Sequence, residues 1–61
     1  MMNYVSAIVI CKKNQNIGII LNTKDHHEIG WFWFEIMWSD FRITWEDINT
    51  SKEDSWFKVL Q

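Results

Sequence analysis

Sixty-one residues with a net charge of −2 and one cysteine make a single small domain at most. An internal disulfide is excluded, and so is a zinc site, because Cys11 and the adjacent pair His26-His27 cannot supply four ligands at usable spacing. Six basic and eight acidic residues, without long runs of either sign, argue against a general phosphate-backbone binder, and no apolar segment approaches the ~18 residues of a membrane helix.

A chain this short buries only about 60% of its unfolded surface, so reinforcement must come from aromatic packing or self-association. Five Trp, four Phe and one Tyr make up 16% of the sequence, and each large ring can bury roughly 150 to 250 Å². Nothing resembles a secretory signal, so an intracellular location is expected, with the lone Cys11 thiol as a small buried hydrophobe.

From Tyr4 to Cys11 the chain is almost wholly apolar and rich in β-branched residues (Val5, Ile8, Val9, Ile10), which predicts a strand buried on much of both faces. Lys12-Lys13-Asn14-Gln15-Asn16 forms a polar turn with neither Gly nor Pro to define its type. Ile17-Gly18-Ile19-Ile20-Leu21 is a second strand whose glycine marks a bulge, a bend or a close backbone approach. Asn22 to Glu28 is a hydrophilic connection, and Gly30 suggests another bend.

Trp31-Phe32-Trp33-Phe34-Glu35-Ile36-Met37-Trp38 is the central strand. On a period of two, one face carries Phe32, Phe34, Ile36 and Trp38 and the other Trp31, Trp33, Glu35 and Met37. Only the second contains a charge, so the first is assigned to the core. Ser39-Asp40 begins a turn. Phe41 to Glu46 then alternates, with Phe41, Ile43 and Trp45 on one face and Arg42, Thr44 and Glu46 on the other. Asp47 to Asp54 suits a single helical or 3₁₀ turn, and Ser55 to Leu60 a closing strand. The expected core is Ile8, Ile10, Ile19, Phe32, Phe34, Ile36, Trp38, Ile43, Trp45 and Val59. Five short strands with short connections, no proline and no long helix predict an all-β, partly open antiparallel barrel in one domain spanning residues 1–61.

The succession Ile17-Gly18-Ile19-Ile20-Leu21, Phe34-Glu35-Ile36-Met37-Trp38-Ser39-Asp40, Thr44-Trp45-Glu46-Asp47-Ile48 and Val59-Leu60 resembles small SH3-like barrels encoded by tailed bacteriophages, notably those of cyanobacteria. The resemblance covers most of Ile17 to Leu60. It implies a five-stranded SH3-like barrel and a viral source, hence the host cytoplasm or the virion, and it implies no reaction. The chain departs from that pattern before its first strand and at Trp31 and Trp33.

That second departure points to function. Trp31, Trp33 and Met37, with Glu35 beside them, are the expected partner-binding face, because contiguous outward aromatics mark protein contacts. The competing reading is that another segment covers this face. A non-enzymatic module contacting a host or viral protein is therefore expected, with a virion or oligomeric component, or a KOW- or Tudor-like nucleic-acid accessory, as alternatives.

Lys12, Lys13 and Lys24 would form the basic edge of that last alternative. An aromatic cage for a methylated ammonium needs converging rings that a sequence does not reveal. His26-His27 is read as a solvated turn, since neighbours on an extended chain point apart. Asp40, Glu46 and Asp47 have turn and capping roles rather than acid–base ones. Asn49-Thr50-Ser51 matches a glycosylation sequon that an intracellular chain never uses. No cofactor is expected.

Overall fold

The computed structural model describes residues 3–51 and 56–60. It contains five strands: β1 (Ile8–Cys11), β2 (Ile17–Asp25), β3 (Trp31–Trp38), β4 (Ile43–Asn49) and β5 (Phe57–Leu60). They form one antiparallel sheet in the order β4-β3-β2-β1-β5 that curls into a half-barrel. This is the small, partly open, five-stranded barrel expected from the pattern of short strands. The 3₁₀ turn is not seen: Asp47 to Asn49 complete β4 and Thr50-Ser51 bend, while residues 52–54 of that expectation lie outside the described residues.

Three-residue hairpin geometry sets the register of β3 on β4. Phe41 N–H donates to the Trp38 carbonyl and Trp38 N–H to the Arg42 carbonyl, both at 2.8 Å, so Met37 stands opposite Ile43, Glu35 opposite Trp45 and Trp33 opposite Asp47. Between β2 and β3 the pairing runs Ile20 with Ile36 and then Asn22 with Glu35, leaving Leu21 as the extra residue of a bulge. The bulge turns Asn22 outward, where its Nδ2 donates to Glu35 Oε1 at 2.7 Å.

Gly18 is the close-approach site. It pairs with Val9 on one side and Trp38 on the other, facing inward, and a Cβ there would lie 2.5 Å from Ile36 Cγ2 and 2.9 Å from Trp38 Cε3. Its missing side chain is the space that Ile36 and the Trp38 indole occupy. The indole N–H in turn donates to Thr44 Oγ1 at 2.7 Å, which ties β3 to an inward polar residue of β4.

The core is Tyr4, Val9, Ile20, Phe34, Ile36, Trp38 and Ile48, with Ala7, Cys11, Phe32, Phe57 and Val59 packed against it. The inward set of β3 is thus the one its alternation indicates. Tyr4 belongs to no strand. The chain turns at Val5-Ser6, Ser6 adopting φ 75°, and the Tyr4 ring packs 5.4 Å from those of Phe32 and Phe34.

Five expected core residues are on the outward side: Ile8, Ile19, Ile43 and Trp45 are exposed, and Ile10 is half-buried beside Ile8. The physical reason differs by strand. In β1 and β2 both faces are apolar, so alternation cannot say which points in, and the Gly18–Trp38 fit selects Val9 and Ile20. In β4 the hairpin puts Ile43 and Trp45 across from Met37 and Glu35, on the outward side of β3. The inward positions of β4 are therefore Thr44, Glu46 and Ile48, and only the last is apolar.

Candidate functional site: the outward face of the sheet

Reading the pairings across the sheet gives one uninterrupted outward row, Leu60, Ile8, Ile19, Met37 and Ile43, with a residue from every strand. Ile10 and Ile17, paired with each other, extend it toward the β1–β2 turn. Ile8, Ile17, Ile19, Ile43 and Leu60 are all exposed, Ile43 to 55%. A solvent-facing sheet surface ordinarily carries polar residues at such positions, whereas this one carries a continuous apolar patch.

Beyond Glu35 the same face becomes aromatic. Trp33 and Trp45 are exposed to 39% and 40%. Lys24, opposite Trp33, extends its ammonium over the Trp45 ring at 4.9 Å from the centroid, and the three residues line a shallow cleft. His26 stacks on Trp33 at 5.6 Å and lies 5.9 Å from Trp31. Its Nδ1 accepts the Glu28 N–H at 3.2 Å, which holds the imidazole against the two indoles. Trp31 is half-buried, so of the expected partner-binding set Trp33 is the exposed aromatic, with Met37 and Glu35 half-buried beside it. Trp45, assigned to the core by its alternation, is its neighbour on this face.

The hairpin between β3 and β4 bounds the other end. Phe41 occupies the left-handed position of a three-residue loop, φ 68°, a place that glycine fills by preference. Holding a bulky residue there costs about 1 to 2 kcal/mol. The ring regains little of this by burial, since Phe41 is 84% exposed. With Ile17, Ile19 and Met37 it lines an apolar hollow of about 220 Å³ on the outward surface. Phe41→Gly is accordingly expected to raise stability by about 1 kcal/mol, measured as an increase in the urea midpoint at low protein concentration.

Asp40 braces this loop. Its Oδ2 receives the Arg42 Nε–H at 2.6 Å and its Oδ1 the Arg42 backbone N–H at 3.2 Å. These two hydrogen bonds, the side-chain one foremost, hold the Asp40 carboxyl below its ordinary range. A carboxylate lowered by folding contributes stability above its ordinary titration range and loses it as pH falls through the lowered value. Both partners are exposed, so the contribution is small. Arg42→Ala should move the Asp40 titration upward, as followed by carboxyl NMR shifts, while leaving the neutral-pH melting temperature nearly unchanged.

The remaining candidates are dispersed. Lys12 and Lys13 lie in the β1–β2 turn, where Lys13 Nζ sits 5.0 Å from the Trp56 ring centroid. Lys24 is seven residues beyond the start of β2, roughly 23 Å along an extended strand. The three lysines do not form one basic edge. Glu46 faces inward and Asp47 outward, and Asp40 is in the hairpin, so the carboxylates do not pair. Among the described residues no group of three or more His, Cys, Asp or Glu could hold a metal ion. Asn49 is buried, its Oδ1 accepting from Ser51 N–H and Oγ–H, both at 2.9 Å.

Sequence reasoning identified the β3 portion of the face but missed the contributions of β1, β2, β4 and β5. The available signal was the apolar character of both alternating sets in Ile8–Cys11 and Ile17–Leu21, more than one core of this size can absorb. Compared with protein-family models, with curated proteins and with solved structures, the chain matches none.

Proposed function

We propose that this protein is a non-enzymatic protein-contact module, of phage origin as its sequence resemblance implies, whose outward sheet face is the contact surface. The observation that carries the reading is the outward row of Leu60, Ile8, Ile19, Met37 and Ile43 continuing into Trp33 and Trp45. Such a face combines the aliphatic composition of stable protein interfaces with the Trp and Met content of their energetic centres. The dispersal of Lys12, Lys13 and Lys24 favours this over nucleic-acid binding.

The aromatic end supplies the direct test. Trp33→Ala/Trp45→Ala removes two half-exposed rings from the solvent side and leaves Phe34, Ile36 and Ile48 in place. The double variant should keep a cooperative melt within a few degrees of the parent, and lose binding to a captured protein partner by at least ~2 kcal/mol, about thirtyfold. Titration calorimetry with that partner measures the loss. Unchanged affinity would refute the assignment of the face, and affinity that collapses with rising salt would favour a polyanion instead.

A further inference from the structure

We infer that the partner for the outward face is a second copy of this chain, joined about a two-fold axis with each Phe41 ring seated in the apolar hollow of the other copy. The inference rests on the contact-face reading above and names its occupant.

A two-fold contact requires that the same patch be complementary to itself, and this patch carries a projection and a recess side by side. Phe41 projects, 84% exposed, in a backbone conformation that costs the isolated chain free energy. Ile17, Ile19 and Met37 line the recess, with Phe41 itself as one of its walls, so a two-fold contact brings the two Phe41 rings together across the axis. Strain that folding does not repay is repaid on association when the ring leaves water.

The charge pattern fits a second copy as well. The charged residues at outward strand positions are Lys24, Glu35, Asp47 and Lys58, two of each sign. A neutral face meets its own copy without net repulsion.

Size sets the strength. A convex half-barrel cannot lay all five strands on its copy at once, so the contact centres on β1, β2 and β3. Three strands ~4.8 Å apart, with four outward residues along β3 at ~6.7 Å spacing, present on the order of 200 to 300 Å² in projection. This is below the ~600 Å² per partner at the lower end of specific interfaces. The pairing is therefore a weak, reversible, concentration-dependent dimer.

Sedimentation velocity over a micromolar to millimolar range tests this. The parent should move from 7.5 kDa toward twice that mass. Phe41→Gly relieves the hairpin, so it folds, and should weaken the dimer at least tenfold. Ile19→Lys at the centre of the row should remain monomeric with an unchanged tryptophan spectrum.

A parent chain that stays monomeric at millimolar concentration overturns the inference, as does a Phe41→Gly chain that dimerises as tightly as the parent. If that monomer still binds another protein in a manner lost by Trp33→Ala/Trp45→Ala, the contact-face reading survives without self-pairing. If it does not, both fall.

Discussion

Phe34→Ala is expected to leave most of the chain unfolded at room temperature. Phe34 has no exposed surface and stands in the middle of β3, paired with Thr23 and Glu46. Its ring is enclosed by Tyr4 at 5.4 Å and Phe32 at 5.9 Å. Removing such a ring costs about 3 to 5 kcal/mol in lost transfer energy and residual cavity. A domain of this length has roughly 3 to 9 kcal/mol in total at ~0.05 to 0.15 per residue, so one substitution consumes much of it. Urea unfolding followed by tryptophan fluorescence should show either no native baseline or a midpoint displaced by most of its range. Phe32→Ala, at a half-buried position, serves as the milder comparison. A Phe34→Ala chain that melts like the parent would mean that the concave face is not the core.

The next largest effect belongs to the smallest side chain. Gly18→Ala places a methyl 2.5 Å from Ile36 Cγ2, 2.9 Å from Trp38 Cε3 and 3.1 Å from the Met37 carbonyl oxygen. None of these can yield easily, since Ile36 and Trp38 are buried and the carbonyl belongs to the β3 backbone. Overpacking of this kind costs about 1 to 3 kcal/mol, with Gly18→Val at or beyond the upper end. The loss is readable as a lowered melting temperature, together with a change in the near-ultraviolet signal of Trp38. Ile36→Leu removes the β-branched methyl that makes the shortest contact, so Gly18→Ala should cost less in that background than alone. Equal costs in both backgrounds would show that the glycine is required for something other than space.

Both substitutions act on the concave side of β3, the part of the molecule most legible beforehand. Trp31–Trp38 reads as a strand with Phe32, Phe34, Ile36 and Trp38 inward because Glu35 labels the opposite side, and the packing agrees. Ile8–Cys11 and Ile17–Leu21 carry no such label. Their alternating sets are both apolar, so the inward choice of Val9 and Ile20 depends on which set meets Trp38 across the sheet. Tyr4 was legible only as the start of a strand; its place under Phe32 and Phe34 depends on the reversal at Val5-Ser6.

β4 is the instructive case. Its alternation is clean, yet the apolar set Ile43 and Trp45 faces out, because periodicity defines two faces without saying which is inside. The three-residue hairpin ending at Phe41 decides that, through the pairing of Met37 with Ile43. Had the loop been one residue longer with the same continuous pairing, Thr44 would have met Met37 and the apolar pair would have turned inward.

The same hairpin accounts for the candidate site. Trp33 was visible from its strand, but its neighbour Trp45 and the row through Ile8, Ile19 and Leu60 exist only once five strands are in register. The amino-acid order alone determined an all-β chain of short antiparallel strands and the inward set of β3, because these follow from local propensity and a period of two. Tertiary structure decided which faces of β1, β2 and β4 are outside, and so created the continuous outward apolar face, because orientation and cross-strand neighbours depend on register, on the Leu21 bulge and on the space left by Gly18.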